Sequence, residues 1–172
     1  VEFAKKIKQY IKKNKHVKDV PVYNPSETPV FNLEQIEKTL PHRHPFLFID
    51  KIIELTDTMI VGVKNVTYNE WFFPGHFPGR PTLPGVLMCE AIAQVGAYAL
   101  LSDPARASKL PLFGGLDAAR FRRQVVPGDE LTIRVELGRM SARAGKGVGT
   151  ASVQGEVACE CELMFVLVDR AS

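Results

Sequence analysis

Residues 84–101 read Pro84-Gly-Val-Leu-Met-Cys-Glu-Ala-Ile-Ala-Gln-Val-Gly-Ala-Tyr-Ala-Leu-Leu101 and form the longest segment with helical character. Proline suits a first helical position, because its missing N–H would have no partner there. Five small residues in this segment would let surrounding backbone approach closely: Ala91, Ala93, Gly96, Ala97 and Ala99. We therefore predict a helix that lies buried among other elements and not on the surface.

The segments around this helix have the character of strands. Residues 131–137, Leu-Thr-Ile-Arg-Val-Glu-Leu, alternate apolar and polar side chains, the period of a half-buried strand. Further strand-like segments cover residues 47–55, 59–66, 118–124, 146–154 and 156–168. A short helix is predicted at 32–40, with Asn32 as its cap and Pro41 after its end. One long helix among five or six antiparallel strands predicts an α+β fold in which a sheet wraps around the helix.

Length and composition indicate one ordinary soluble domain. Of the 172 residues, 45% are hydrophobic and 24% charged, which is average for globular proteins. No apolar run reaches the roughly 20 residues of a membrane-spanning helix, so we expect no stable membrane insertion and a cytoplasmic location. Three cysteines, an odd number without metal-type spacing, favour a reducing compartment. The net charge of +3 is too mild to predict nucleic-acid binding, although an acidic partner fits the two basic clusters.

Residues 1–31 differ from the rest, and we assign the domain proper to residues 32–172. Seven lysines lie among Phe3, Ile7 and Ile11, which is the pattern of a short basic amphipathic helix. Three prolines between residues 20 and 29 favour an extended linker after it.

The two halves of the chain differ in composition. Residues 1–79 contain ten Lys, one Arg, seven Ile, five Asn and one Ala, whereas residues 80–172 contain two Lys, nine Arg, two Ile, no Asn and thirteen Ala. The long helix accounts for part of the alanine. The exchange of Lys for Arg has no architectural cause, because both are tolerated on exposed surface. Our hypothesis is a chimera of two sequences joined near Gly79.

Residues 71–94 carry the groups that suggest chemistry. His76 lies in a Pro- and Gly-rich loop before the long helix, and Gly85 lies in the first turn of that helix. Glu90 and Gln94 are four residues apart and share one helical face. A base, a hydrogen-bond donor and an acid therefore occur in one short segment. On spacing alone, a lone His and a lone Glu more often have structural roles than catalytic ones, so both alternatives stay open for His76 and Glu90.

Two motifs resemble the β-hydroxyacyl-acyl-carrier-protein dehydratases of FabZ type. They are Leu40-Pro-His-Arg-His-Pro-Phe-Leu-Phe-Ile-Asp50 and the segment 71–94, with its His76-Phe-Pro and Pro84-Gly-Val-Leu. The resemblance covers about residues 32–168 and implies a hot-dog fold, with His76 and Glu90 as the catalytic residues. Related dehydratase-isomerases carry Asp where this chain has Glu90, which disfavours isomerisation. The basic N-terminal segment resembles the linker of deacetylase–dehydratase fusions.

The implied reaction removes water from a (3R)-hydroxyacyl thioester to give a trans-2-enoyl thioester. It needs a base for the C2 proton, an acid for the C3 hydroxyl and a donor to the thioester oxygen. An imidazole such as His76 is a base at neutral pH, and burial would keep Glu90 protonated. A one-base scheme, in which His76 handles both protons, remains open. The amides of Gly85 and Val86 at the helix start would bind the thioester carbonyl, and Gln94 would orient the carboxylate.

The resemblance also implies partners. Acyl carrier protein would deliver the substrate on its phosphopantetheine, with no other cofactor, and would dock on Arg120, Arg122 and Arg123. Two protomers would share each site, with His76 from one chain and Glu90 from the other, and three dimers would form a hexamer. The acyl tunnel at their interface would be lined by Phe73, Leu87 and Phe113.

The alternatives to a dehydratase are a thioesterase, a non-catalytic binding module and a metal site. A hot-dog acyl thioesterase would hydrolyse the same class of substrate with a carboxylate near a helix start. A non-catalytic acyl-binding module would bind the acyl chain of the thioester without reacting with it. His42 and His44 are too sparse a set to predict a metal site, and Arg43 and Asp50 are expected to make structural contacts.

Overall fold

The computed structural model describes Val22 and residues 24–170. Two helices and six strands are defined in this part of the chain. In chain order they are α1 Leu33–Thr39, β1 Lys51–Leu55, β2 Met59–Asn65, α2 Gly85–Leu101, β3 Lys109–Phe121, β4 Glu130–Met140, β5 Ala144–Val153 and β6 Glu156–Asp169. The basic helix predicted near the N-terminus lies outside the described residues. Among those described, no helix is both long and apolar enough to cross a membrane.

The strands form one antiparallel sheet with the order β1-β2-β4-β5-β6-β3. Helix α2 packs against β2, β3, β4, β5 and β6. Twelve of its seventeen residues are buried, which is possible only for a helix covered on most of its circumference. The predicted α+β fold, with a sheet around a buried central helix, is confirmed.

Glycines in the sheet allow its strands to approach this helix. A Cβ atom on Gly149 of β5 would lie 2.0 Å from Cγ2 of Ile92, and one on Gly62 of β2 would lie 2.7 Å from Cγ2 of Val95. Both distances are too short for any side chain. The helix is therefore held close to the sheet by small residues on the strands as well as by its own alanines.

Helix α1 begins and ends where the sequence predicts. Asn32 Oδ1 accepts a hydrogen bond from Gln35 N (3.1 Å), and Gln35 Oε1 accepts one from Asn32 N (2.9 Å), which forms a capping box. After the helix, Arg43 donates to the backbone carbonyls of Glu37 and Leu40 (both 2.8 Å). Arg43 thus has the structural role expected of it.

Strand β3 is longer than the sequence predicts. The sequence favours a strand over 118–124, whereas β3 covers Lys109–Phe121. Pro111 and Gly114 in its first half argue against a strand in the sequence, because both residue types are uncommon inside strands. Pairing with β6 carries the strand past them through a bulge at Gly114.

Two other boundaries differ from prediction. Strand β1 begins at Lys51 and not near Leu47. Before Lys51 the backbone binds the α2 side chain of Gln94, because Phe48 N donates to Gln94 Oε1 (2.9 Å). Pro84 is the N-cap of α2, so Gly85 is the first helical residue.

Candidate active site

His76 lies in the loop between β2 and α2, and its backbone is hydrogen bonded on both sides. Its N–H donates to the carbonyl of Phe72 (3.0 Å), and its carbonyl accepts from Thr82 N (2.9 Å). The ring nitrogen Nδ1 lies 2.7 Å from the carbonyl oxygen of Thr82. Because a carbonyl only accepts, Nδ1 carries the proton, and the lone pair of the neutral ring is on Nε2. Nε2 can therefore take a proton from a ligand.

The start of the His76 loop is anchored to the sheet by an ion pair. Lys64 of β2 is only 5% exposed, and its Nζ lies 2.6 Å from Glu70 Oε1. The same ammonium lies 5.3 Å from the centre of the Phe48 ring. The carbonyl of Glu70 accepts from Phe73 N (3.3 Å), so the anchor extends into the loop.

Gln94 holds Glu90 in a defined orientation. The amide oxygen of Gln94 accepts from Phe48 N (2.9 Å), which fixes which end of the amide is the donor. The amide nitrogen donates to the carbonyl of Phe46 (2.8 Å) and to Glu90 Oε1 (2.8 Å). Gln94 is 1% exposed and uses three hydrogen bonds, so it has little freedom to rotate.

The surroundings of Glu90 favour its protonated form. Burial raises the pKa of the Glu90 carboxyl, and the hydrogen bond from Gln94 opposes that rise only in part. A carboxyl group in this state can act as a general acid near neutral pH.

His42 lies beside Glu90, which the sequence analysis did not predict. Its Nε2 is 3.6 Å from Glu90 Oε1. Burial, together with the nearby positive charge of Arg43, lowers the pKa of His42 and keeps the ring neutral. His42 and Glu90 are 48 residues apart, so no local spacing rule could have indicated their contact.

The first turn of α2 offers two backbone donors. The amides of Gly85 and Val86 donate no hydrogen bond to any described residue. They lie at the positive end of the helix dipole, where an anionic or carbonyl oxygen is stabilised. A Cβ atom on Gly85 would lie 2.7 Å from the Phe121 ring, so a larger residue would displace this ring.

His76 and Glu90 of one chain open into separate cavities. Glu90 lines a cleft of about 240 Å³ with His42, Phe46, Ala93, Gln94, Ala97, Pro111, Leu112, Phe113 and Phe165. His76 lines a hollow of about 480 Å³ with Thr82, Leu83, Pro84, Gly85, Val86, Met88, Phe121, Arg122, Arg123 and Gln124. A single chain thus brings His76 together with Gly85 and Val86, and Glu90 together with Gln94, but does not join the two sets.

The three predicted tunnel residues also lie in different hollows. Phe113 lines the cleft of Glu90, and Leu87 lines a hollow that His76 and Trp71 share. Phe73 is buried and lines a third hollow beside Phe77, which neither His76 nor Glu90 reaches.

Two of the three predicted docking arginines lie at the hollow of His76, and Arg120 does not line it. Arg122 and Arg123 line it, and both are paired, Arg122 with Glu160 and Arg123 with Asp129 and Glu156. Arg120 is exposed and donates to the carbonyl of its neighbour Ala119 (2.9 Å).

Other groups that could carry chemistry have structural surroundings. Asp50 Oδ2 accepts from Asn65 N (2.7 Å), a structural contact as expected. The three cysteines are buried and unbridged, with Cys89 Sγ 3.8 Å from Cys159 Sγ. Over residues 24–170, no three His, Cys, Asp or Glu side chains are grouped as metal ligands would be.

Comparisons with known proteins match most of the chain. The FabA-like domain family matches residues 40–162. A 3-hydroxyacyl-acyl-carrier-protein dehydratase FabZ from Desulforamulus reducens is 54% identical over 139 residues, which is 80% of this chain and 98% of that protein. The enzyme of the same name from Bacillus cereus is 48% identical over 142 residues, covering 82% and 99% of the two chains.

Solved structures with low sequence identity share the fold. A dehydratase heterocomplex from Xenorhabdus doucetiae superposes with a TM-score of 0.70 at 20% identity, covering 84% of this chain and 93% of that one. A mutant thioesterase from Pseudomonas aeruginosa superposes with a TM-score of 0.62 at 16% identity, covering 84% and 98%. Dehydratases and thioesterases therefore share this architecture, and the fold does not by itself separate them.

Proposed function

This chain belongs to the FabA-like family, among the 3-hydroxyacyl-acyl-carrier-protein dehydratases of FabZ type, and from that premise we propose how its own residues remove water from the substrate. The function is dehydration of (3R)-hydroxyacyl-acyl-carrier protein to the trans-2-enoyl product in fatty-acid elongation. One observation carries the proposal. The chain presents an imidazole whose Nδ1 is bound to a carbonyl, which leaves Nε2 as the proton acceptor, and a carboxyl whose pKa is raised by burial.

In the proposed reaction, His76 Nε2 takes the proton from C2 of the acyl chain. The electrons of that C–H bond form the C2–C3 double bond as the C3–O bond breaks. Glu90 gives its proton to the departing hydroxyl, which leaves as water. The amide of Gly85, and that of Val86, donate to the thioester oxygen and stabilise the negative charge that develops there.

A one-base route uses the same two groups in another way. His76 would carry the C2 proton to the hydroxyl, and Glu90 would hold the water. The raised pKa of Glu90 favours the two-group route, because a protonated carboxyl is a donor. Neither route needs a metal or an organic cofactor, since the chemistry consists of proton transfers and one C–O cleavage.

We propose that each complete site is shared by two copies of the chain. His76 and Glu90 of one copy line separate cavities, so the reaction needs a second copy to join them. The outer edge of β3 has no strand beside it in the described sheet, and it presents exposed apolar side chains, Phe113, Leu116 and Phe121. Pairing of β3 with β3 of a second copy would cover these side chains. The cleft lined by Phe113 would then continue toward His76 of the partner subunit as an acyl tunnel, to which Leu87 and Phe73 would contribute.

A further association of three dimers is proposed from the outer face of the sheet. Val148 and Val166 are exposed there, on strands whose alternate residues face α2. Burial of these two apolar side chains against a neighbouring dimer would be favourable.

We propose that acyl carrier protein docks beside the hollow of His76, with Arg120 as its exposed charge. Carrier proteins are acidic, so opposite charge would increase the association rate at low salt. Replacing Arg120 by Glu should raise KM for carrier-linked substrate by about fivefold at low ionic strength, with kcat unchanged. An N-acetylcysteamine thioester should show no change in KM, because it carries no acyl carrier protein that could contact Arg120. Arg139→Glu, an exposed charge on β4, is the matched control, and an equal effect of both variants on KM would contradict specific docking.

The proposed reaction is tested by its products. The purified protein should interconvert 3-hydroxybutyryl and crotonyl thioesters, seen as a change in enoyl-thioester absorbance without release of free thiol. Release of free thiol without that change would establish a thioesterase instead. Binding without either signal would establish a non-catalytic acyl-binding module. The double variant His76→Ala/Glu90→Gln is the control for spontaneous hydration.

A cytoplasmic location is also proposed. Its support is the state of the three cysteines, which are all unbridged, as is usual in a reducing compartment.

A further inference from the structure

The cleft of Glu90 contains a second titratable side chain, His42. Of the residues that line this cleft, only Glu90 and His42 can change charge. Their nearest atoms, Glu90 Oε1 and His42 Nε2, are 3.6 Å apart. This separation is longer than a hydrogen bond and short enough to become one after a small movement.

His42 is held in this position from both sides. On one side, Arg43 donates to the carbonyls of His42 (2.6 Å) and Leu40 (2.8 Å), which ties the backbone here to the end of α1. On the other side, Gln94 of α2 binds the carbonyl of Phe46, four residues farther along. The imidazole therefore faces Glu90 because the backbone on each side of it is bound to a different helix.

The ring of His42 lacks a hydrogen bond where it is most buried. Its Nδ1 is buried and has no partner in the described structure. A neutral imidazole carries one N–H and one lone pair, and a buried N–H without an acceptor is costly. The N–H is better placed on Nε2, where Glu90 Oε1 can accept it. With the opposite tautomer, the lone pair of Nε2 would face the carboxylate that remains once Glu90 has given up its proton.

We propose that His42 is a positioning residue that donates from Nε2 to Glu90 Oε1 once Glu90 has given its proton to the departing hydroxyl. The inference rests on the proposed function and deepens it. Together with the amide of Gln94, His42 would stabilise the carboxylate that the reaction creates. A neutral donor suits this task, because a cation at this position would ionise Glu90 before substrate binds.

The charges around His42 support this assignment. The segment after α1 contributes Arg43, whose charge opposes protonation of His42. Helix α2 contributes Glu90, 3.6 Å from His42 Nε2. Strands β3 and β6 contribute only apolar residues to the cleft, Pro111, Leu112, Phe113 and Phe165. Glu90 is therefore the group through which a change at His42 would be felt.

The test compares substitutions that differ in where they carry an N–H group. His42→Gln puts an amide nitrogen near the position of Nε2 and should keep kcat within about threefold of the wild-type value. His42→Asn puts it near the position of Nδ1, and His42→Leu has none, so both should lose about tenfold or more in kcat, the value of one hydrogen bond to a charged group. KM should stay within about twofold in all three. His44→Asn, at an exposed histidine two residues away, is the control with unchanged kcat.

The pH profile separates this role from a merely structural one. Loss of a donor destabilises the carboxylate and raises the pKa of Glu90 further. Dehydration requires protonated Glu90, so the alkaline limb of the kcat profile should move to higher pH in His42→Asn and His42→Leu but not in His42→Gln. A loss of kcat without this displacement, or an equal loss in His42→Gln at an unchanged melting temperature, would overturn the proposal.

A titration of the ligand-free protein makes the test independent of turnover. NMR of carboxyl-labelled glutamate would follow Glu90, with Glu90→Gln used to assign its signal. A higher pKa in His42→Asn than in the wild type supports the proposal, and an identical pKa refutes it. If the wild type lacked dehydratase activity, the proposed function would fail, while this titration would still report whether His42 acts on Glu90.

Discussion

Replacing His76 by Ala is expected to lower kcat for crotonyl-thioester hydration by about 10³-fold, the usual contribution of a general base. Nδ1 of His76 is engaged by the Thr82 carbonyl, so Nε2 is the only ring position left for catalysis. KM should change little, because the alanine removes no apolar contact with the acyl chain. Glu90→Gln should lose a comparable factor, since the amide keeps the bond to Gln94 but cannot transfer a proton. The activities of both variants are measured by the change in enoyl-thioester absorbance.

Mixing these two inactive variants tests whether sites are shared. After equal amounts exchange subunits, half of the dimers are mixed, and each mixed dimer has one site with both His76 and Glu90 intact. Activity should therefore return to about a quarter of the wild-type value, as two-fold symmetry requires. If mass spectrometry shows mixed dimers and activity does not return, the shared site is wrong, and His76 and Glu90 must act within one chain.

Replacing Lys64 by Met is expected to lower the free energy of unfolding by about 3 kcal/mol, the cost of leaving one charge of a buried pair without its partner. Glu70 would lose its ion pair at 2.6 Å, and the Phe48 ring would lose the ammonium beside it. Urea denaturation measures the change. Lys146→Met, at an exposed position on β5, is the matched control and should stay within about 0.5 kcal/mol of the wild type.

The same substitution should also affect catalysis. Glu70 lies in the first part of the loop that carries His76. Loss of its ion pair should therefore let the imidazole move away from the position in which Nδ1 binds the Thr82 carbonyl, and kcat should fall severalfold. Lys64→Met/Glu70→Gln, which removes both charges, should recover part of the stability. A urea midpoint equal to that of the wild type in Lys64→Met would show that the ion pair contributes nothing to the fold.

Part of the site follows from local spacing. Glu90 and Gln94 are four residues apart on a helix, and the hydrogen bond between them forms as this spacing predicts. The amides at the start of α2 are likewise free because every helix leaves its first N–H groups unpaired. The tautomer of His76 could not be predicted, since it depends on a carbonyl that the loop brings to 2.7 Å from Nδ1.

Two hypotheses from the sequence stay predictions. The change in composition near Gly79 still suggests two joined sequences, and a natural gene that reads continuously across this point would refute that idea. The assignment of residues 1–31 to a separate basic helix and linker also stays a prediction, because most of this segment lies outside the described residues.

The sequence alone determined the buried central helix and the capped helix before it, and it supplied the two groups that we propose react, His76 and Glu90. These follow from properties of neighbouring residues, namely small side chains, capping groups and a family-like motif. Only the tertiary structure decided that β3 continues past Pro111, that His42 faces Glu90 and that His76 and Glu90 of one chain open into different cavities. Each of these depends on pairing or packing between residues far apart in the chain. Contacts of this kind are set by the whole fold, and no local sequence pattern predicts them.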